Sequence, residues 1–394
     1  MKTRTRTNML TVATLAALGG ATVPVQAAEP LKIGIIGNMQ QWFGIVQHEK
    51  DAGQNFNTFG INTDNELAFS GTSTLDNGLE VTARMVLDAY NDNVGPGNNA
   101  SSGVDEVWVS VGGAFGKLYA GAKESMNHSL HNQPDDYGIG YDNVGMWTIV
   151  PAAGFVAGRA PWMQTSFEKL ADDVPMAGYI SPKLAGVQLA LTYSPNEGTP
   201  PSPLAVSGLG TQRVDRTART GRTNYWDTTL AYGGEWGGVT LGSNVGYGAF
   251  QGTPQSVIAG VTPVSSGRAV NAGLKVGYGG FTVGGSWLRL MEPTKNDAVV
   301  IAFGGSAWNA GVAYATAAWG VSYTYYTENH QETPAGGNSK EKFQTHLISG
   351  KYSIGPGVDL KSSFLHGKFN GRDRSDDTHN TWAYALVSGI DVSF

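Results

Sequence analysis

Segments of about ten residues with alternating polarity recur along this 394-residue chain and leave few folds open to it. The clearest segment is LEVTARMVLDAY, in which Leu79 begins an apolar set that continues at every second residue to Ala89. The intervening positions, from Glu80 to Tyr90, are mostly polar. Because successive side chains of a β-strand point to opposite faces, the segment predicts a strand with one lipid face and one water face. Such strands are typical of transmembrane β-barrels.

Short and long connections alternate between these segments. The short connections comprise residues 75–78, 112–115, 182–186, 237–238, 279–280, 317–318 and 354–357. The long connections lie near residues 124–174, 194–224, 251–267, 290–305, 329–340 and 370–379. Outer-membrane barrels have short periplasmic turns and longer external loops, so this alternation predicts the same architecture.

The number of segments fits a closed barrel. We count about 16 of them, an even number, with residues 290–305 the least regular region. The predicted fold is therefore all-β, a transmembrane antiparallel β-barrel. A soluble β-sandwich would show shorter strands with turn signals about every 8 to 12 residues. No fixed-period repeat supports a β-propeller or a β-helix.

Composition also favours a membrane barrel over an ordinary soluble domain. Charged residues make up 15% of the chain, against about 25% in soluble domains. Lipid-facing positions exclude charge, and the 55 glycines suit tight turns and close strand contacts. The net charge of -6 gives no basic surface for nucleic acid, and the chain has no cysteine for a disulfide framework.

Residues 1–28 have the pattern of a cleavable secretory signal peptide. Basic residues precede an apolar run, and small residues follow Pro24. We expect cleavage nearest Ala27 or Ala28, which leaves residues 29–394 as a single barrel domain. The alternative is a retained anchor helix, but glycines and Pro24 interrupt the apolar run. Beyond residue 28, no stretch approaches the ~20 apolar residues of a spanning helix.

Several stretches carry a family resemblance, and their order and spacing are more specific than any one of them. They are ELAFSGTSTLDNGLEVTARM at 66–85, DEVWVSVGGAFGKLYAGAKES at 105–125, WGGVTLGSNVGYG at 236–248, GYGGFTVGGSW at 277–287, YSIGPGVDL at 352–360 and the closing ALVSGIDVSF. Together they make the chain resemble the trimeric general-diffusion porins of Gram-negative outer membranes, especially the alphaproteobacterial members. The resemblance spans nearly the whole chain after residue 28.

This resemblance implies a water-filled outer-membrane channel for passive diffusion of small hydrophilic solutes and ions. It also implies a homotrimer that contacts outer-membrane lipids and is inserted by the barrel-assembly machinery. In the family, the third long loop folds into the barrel and narrows it, and residues 124–174 take that place here. The family sets acidic loop residues against basic side chains on the facing wall, which produces a field across the pore. Charges that line a narrow aqueous path select solutes in this way.

The candidate constriction residues come from that loop and from strand parity. The loop acids are Glu124, Asp135, Asp136 and Asp142. The wall candidates with lumen parity are Glu66, Arg84, Lys117 and Lys123. Lys123 stands where the family usually has Arg, whereas many relatives carry a basic residue at the position of Glu66. The acidic residue at this position predicts a weaker preference for anions than in those relatives. The alternative for each charge is a solvated residue without a special role.

The closing segment has an independent physical interpretation. Tyr384, Ile390, Val392 and Phe394 fall on one face of the predicted strand, opposite a smaller and more polar set. Aromatic side chains at both ends of that face match the two aromatic girdles of a barrel. In the family, a terminal Phe on such a strand resembles the signal read by the barrel-assembly machinery.

Other site chemistries have weaker support in the sequence. His128 and His131, near Asp135 and Asp136, are a candidate divalent-metal site, although loop histidines are usually solvated. Clustered loop carboxylates are a candidate structural Ca²⁺ site, and no other cofactor is expected. The stretch GGAFGK lacks the spacing of a phosphate loop, and neither G-x-S-x-G nor H-E-x-x-H occurs. We therefore expect no enzyme activity.

Three alternative functions stay open at this point. A substrate-selective channel with a discrete solute-binding site is favoured by the long third loop. An adhesive or structural barrel would need a plugged lumen, and an enzymatic barrel would need a nucleophile and a base at a strand rim. Trp226, Tyr232, Trp287 and Tyr323 are interpreted as girdle residues. A carbohydrate-guiding track would require them to face the lumen.

Overall fold

The structure is a computed structural model. It describes residues 31–48, 58–88, 103–141, 164–197, 222–252, 266–291, 303–332, 339–370 and 380–394. The predicted signal peptide and Asp142 lie outside these ranges. No helix among the described residues is long and apolar enough to cross a membrane.

Sixteen antiparallel strands close into one barrel, in which each strand pairs with its neighbours in sequence and β1 pairs with β16. The strands are β1 Gly34–His48, β2 Phe59–Thr74, β3 Glu80–Asp88, β4 Val104–Gly113, β5 Gly116–Lys123, β6 Val174–Ile180, β7 Val187–Glu197, β8 Arg222–Trp236, β9 Val239–Gly252, β10 Gly267–Tyr278, β11 Phe281–Met291, β12 Phe303–Ala315, β13 Trp319–Glu332, β14 Ser339–Gly355, β15 Val358–Asn370 and β16 Asn380–Ser393. The predicted all-β antiparallel barrel of about 16 strands is confirmed. Closure leaves no strand edge unpaired, as lipid requires.

The predicted short connections are tight turns at one end of the barrel. Gly237 and Gly238 join β8 to β9, with φ of 57° and 81°. Gly279 and Gly280 join β10 to β11, with φ of 57° and 87°. Two consecutive residues with positive φ form the type I′ turn, whose twist matches that of the strands and which favours glycine.

The two faces of the wall follow the alternation seen in the sequence. Along β16, Tyr384 and Leu386 are exposed on the outward face, while Ala385 and Val387 are buried on the inward face. Trp226 and Trp236 face outward at opposite ends of β8. Ten residues of tilted strand, about 33 Å long, span roughly the 25 Å of an apolar membrane band. Trp226, Trp287 and Tyr323, interpreted from the sequence as girdle residues, are exposed on the outward face and do not face the lumen.

The barrel seam joins the first and last strands. Gly37 and Phe394 exchange two backbone hydrogen bonds of 2.9 and 3.0 Å. The Phe394 ring is 58% exposed on the outward face, on which Tyr384, Ile390 and Val392 also lie by strand parity. The predicted face of the closing strand is therefore present in the fold.

Strands β5 and β6 are short, and the connection between them is the longest in the chain. Its described part contains helix α1, Met126–Leu130, and a single 3-10 turn at Glu168–Leu170. Met126 and Phe167 are fully buried. These described residues of the connection therefore lie in a buried environment.

Candidate functional site

The outgoing limb of the loop, residues 125–141, follows the inner wall from β7 to β15. The Met126 amide donates to Thr192 on β7 at 2.9 Å. Further along, the Tyr137 amide donates to Ser322 on β13 at 3.0 Å, and the Ile139 amide donates to Ser363 on β15 at 3.1 Å. Thr192, Ser322 and Ser363 are buried side chains of the inward face. The limb therefore covers about half of the lumen wall.

Glycines on the wall allow this close approach. A Cβ built on Gly273 of β10 would collide with the Asn132 carbonyl oxygen. In the same way, a Cβ on Gly138 of the loop would collide with the hydroxyl of Ser363. At each of these contacts one partner is a glycine, so the loop and the wall approach closely where that partner carries no side chain.

Buried polar side chains hold the start of the limb. The Ser125 hydroxyl donates to the Asp227 carboxylate at 2.7 Å, and its oxygen caps α1 by accepting from the Asn127 amide. The Asn127 side chain donates to Thr229 at 2.6 Å and pairs with the Asn271 amide. Buried polar groups require such partners, because an unpaired one costs about 1–3 kcal/mol.

Asp135 anchors the middle of the limb. Its carboxylate accepts from the Lys275 ammonium at 2.9 Å and from the Thr282 hydroxyl at 2.8 Å. Lys275 and Thr282 lie on the inward faces of β10 and β11. The neighbouring Asp136 accepts from the Gly138 amide at 2.7 Å. These two predicted loop acids therefore lie within the loop–wall contact.

The returning limb, from residue 164, packs on the outgoing one. The Phe167 amide donates to the Asn127 side chain at 3.0 Å. His128 contacts the Glu168 carboxylate at 3.0 Å. Burial lowers the pKa of His128, but its hydrogen bond with Glu168 and the charge of Glu168 outweigh this effect and raise it.

His131 is held differently. Its Nε2 lies 3.1 Å from the Thr165 hydroxyl and its Nδ1 lies 3.3 Å from the Asn244 amide nitrogen. Burial lowers the pKa of His131 to about 3, helped by the nearby His128, so the ring is neutral. Both ring nitrogens are engaged in joining the two limbs to β9, which disfavours their use as metal ligands.

The half of the wall that the described loop leaves open contains a recess of about 400 Å³. Its lining includes Glu66, Arg84, Lys123 and Glu124. These four residues were predicted from the sequence as constriction residues, and the fold brings them together. Lys117 lies elsewhere, nearer the short turns, and binds Glu80 at 2.8 Å.

Glu106 is the centre of the recess and was not predicted. It accepts from Lys123 at 3.1 Å and from the Trp108 indole at 3.0 Å, and it lies 3.7 Å from Arg84. Lys123 also donates to Glu124 at 2.9 Å. The strand parity of DEVWVSV places Glu106 in the lumen together with Trp108, so this signal was available in the sequence.

Asp105 also lines the recess, against simple alternation. The pairing of β3 with β4 shifts register between Met85 and Leu87, whose partners are Val107 and Val104. Two residues of β4 thus oppose one residue of β3. Such a β-bulge re-aims a side chain, and here it brings Asp105 beside Glu66 on the inward face. Sequence parity does not reveal a bulge.

Carboxylates form two groups here, in each of which the oxygens lie within 4.8 Å of one another: Glu66, Asp88 and Asp105, and Glu106, Glu124 and Asp173. Burial raises the pKa of Asp173 to about 9, with further contributions from the charges of Asp105 and Asp172 and from a hydrogen bond with Asp105. Asp173 is therefore protonated at neutral pH. Lys123 neutralises part of the second group, so the first group is better suited to a hard divalent cation.

Comparison with known proteins decides the family. The family model described as Gram-negative porin matches residues 13–372. The chain belongs to the Gram-negative porins. It is accordingly a multi-pass β-barrel of the outer membrane and forms a porin channel. No curated protein sequence matches it.

Solved structures share the fold of this porin at low sequence identity. The anion-selective porin from Comamonas acidovorans has a TM-score of 0.59 and 14% identity, covering 93% of this chain and 100% of its own. The outer membrane channel DcaP of Acinetobacter baumannii has a TM-score of 0.60 and 12% identity, covering 92% and 97%. The trimer form of OmpT from Vibrio cholerae has a TM-score of 0.58 and 9% identity, covering 93% and 100%.

Proposed function

We propose that small hydrophilic solutes diffuse passively through this porin along the open half of its lumen, and that the pore favours cations. The recess around Glu106 carries the proposal. Two bases, Arg84 and Lys123, stand there among five acids: Glu66, Asp88, Asp105, Glu106 and Glu124. Both bases lie against Glu106, so the charge left to act on a passing ion is negative. Rings of acidic side chains favour cations in pores.

Recording in planar lipid bilayers tests this function. The purified protein is expected to give stepwise openings, with a reversal potential in a KCl gradient that shows preference for K⁺. A solute-size series then gives the cutoff. Absence of steps would reject the channel, and anion preference would reject the role given to the recess. Saturable block by a single solute would instead favour a substrate-selective channel.

We further propose that the channel is a homotrimer and catalyses no reaction. The outward face of β1 and β2 supports a subunit contact, because the Gln41 amide donates to Thr63 at 2.6 Å and to Asn65 at 3.1 Å. A polar network on that face suits a protein neighbour better than lipid. The Vibrio cholerae structure is likewise named as a trimer. A single monomer band in mild detergent and after crosslinking would contradict trimerisation.

Two smaller proposals concern assembly and ions. The outward face of β16, with Phe394 at its end, is proposed as the signal for the barrel-assembly machinery. Deleting Phe394 is then expected to lower the assembled fraction in cells, while a Phe394→Tyr variant keeps it. A structural Ca²⁺, if bound, is assigned to Glu66, Asp88 and Asp105. Calorimetric titration with Ca²⁺ before and after Asp88→Asn checks that assignment.

A further inference from the structure

A groove of about 590 Å³ crosses the outward face of the barrel from β7 to β12. Its floor lies at the small residues Ser243, Ala272 and Gly285. Exposed apolar side chains border it, namely Leu230, Val245, Leu274, Trp287 and Trp308. The groove is therefore a recess in the lipid-facing surface and lies outside the lumen.

Two exposed arginines lie next to this groove, toward the end of the barrel that carries the long connections. Arg289 is two residues beyond Trp287 on the same face of β11, about 7 Å away along the strand. Arg268, the second residue of β10, lies on the outward face and pairs with Met291, which makes it the diagonal neighbour of Arg289. Both lie at the end of the barrel that carries the long connections, which is the external end.

We propose that the groove and the arginine pair together form a binding site for a phosphorylated lipid of the outer leaflet. One acyl chain lies in the groove between Trp287 and Leu274, and a headgroup phosphate binds Arg268 and Arg289. Arginine binds phosphate through two parallel N–H···O bonds. The long side chains also extend from an apolar surface toward the interface while their stems stay in contact with it.

Charge favours a lipid over a second copy of this chain. None of the described residues on the outward faces of β9 to β12 is acidic, so the two arginines repel a like surface. The described outward positions of β1, β2 and β3 also carry no carboxylate. A phosphate supplies the missing negative charge, and the aromatic residues at the groove place it at the level of the headgroups.

Native mass spectrometry of the detergent-solubilised full-length protein tests the site, with diphosphoryl lipid A as the probe and phosphatidylcholine as the comparison lipid. The wild type is expected to retain lipid A in preference to phosphatidylcholine. An Arg268→Gln, Arg289→Gln double variant is expected to lose about tenfold in affinity, because two charge-assisted contacts disappear. Ala272→Leu, which fills the groove floor, is expected to weaken both lipids.

The matched control is Lys368→Gln, which removes an exposed outward base on β15 away from the groove. Equal retention of the two lipids, or an equal loss in Lys368→Gln, would overturn the proposal in favour of unspecific attraction. A changed oligomeric state in Ala272→Leu would overturn it in favour of a subunit interface. The double variant stands independently if Ala272→Leu does not fold, and heat-modifiable gel mobility shows which variants have folded.

Discussion

Asn127 of the loop and Asn271 of β10 exchange two hydrogen bonds, of 3.1 and 2.9 Å, between residues 144 positions apart in the chain. Both side chains are buried. Asn271 also donates to the Thr165 carbonyl oxygen at 3.0 Å. One wall residue therefore holds the outgoing and the returning limbs of the loop at once, and the position of the loop depends on it.

Replacing Asn271 with Ala is expected to loosen the loop without opening the barrel. The buried Asn127 side chain would lose its two hydrogen bonds with Asn271 and keep those with Thr229 and Phe167, and a lost hydrogen bond in a buried site costs about 1–3 kcal/mol. Single-channel recordings should then show more current noise and open states of shorter duration. Thr228→Ala, on the outward face of β8, is the control and should leave the recordings unchanged. Quiet recordings from Asn271→Ala would contradict the anchoring role.

Two substitutions in the recess should shift ion selectivity in opposite directions. Lys123→Gln removes a positive charge and is expected to increase cation preference. Glu106→Gln removes the acid that binds Lys123 and Arg84 and is expected to reduce it. One unit charge at about 4 Å in water is worth about 1 kcal/mol, or about a fivefold change in permeability ratio. Reversal potentials in a KCl gradient measure both shifts, with Lys368→Gln as the control outside the lumen. Shifts of the same sign would contradict the assignment.

The raised pKa of Asp173 predicts a pH-dependent stability. In the unfolded chain Asp173 loses its proton near pH 4, whereas in the folded protein the pKa is about 9. The folded state thus binds more protons between these values, so its stability falls as pH rises through that window. In Asp173→Asn the stability should depend less on pH. Thermal unfolding, followed by gel mobility from pH 5 to 9, measures this dependence for the wild type and the variant. Identical pH profiles of the two proteins would refute the pKa shift.

Close backbone approach at Gly273 predicts a position-specific effect of one methyl group. Gly273→Ala would place Cβ against the Asn132 carbonyl oxygen, so the loop must move away from β10. The expected result is a changed single-channel conductance together with faster protease cleavage within residues 124–174. Gly355→Ala is the control, because nothing lies within 4 Å of its added Cβ. Equal behaviour of the two variants would show that the loop is not seated on β10.

Strand parity and turn chemistry made the barrel predictable from the sequence. Every second residue of EVTARMVLD, the part of the segment that forms β3, faces the same side, and the paired glycines at 237–238 and 279–280 form the expected turns. These signals are local, since they depend on residues within one strand or one hairpin. The same parity places Glu66, Arg84 and Lys123 in the lumen. Because consecutive strands pair with each other, it also predicts that these three side chains lie close together.

The contacts of the loop could not be predicted in that way. Asp135 binds Lys275, and Ser125 binds Asp227, across 140 and 102 positions of sequence. Which wall residue meets which loop residue depends on the path of the loop inside the closed barrel, and no short motif encodes that path. The inward turn of Asp105 had no local signal either, because it results from a β-bulge that the sequence does not mark.

The loop that follows the inner wall from β7 to β15 divides the inward-facing positions into two classes of mutational tolerance. Inward residues beneath it, such as Thr229 and Asn271, are as enclosed as the interior of a soluble protein, so substitutions there reduce folding yield. Inward residues that the described part of the loop does not cover, such as Glu66 and Arg84, remain partly or fully exposed, so substitutions there alter what passes while the protein still accumulates. Under selection for altered uptake, viable variants should therefore concentrate on one side of the lumen.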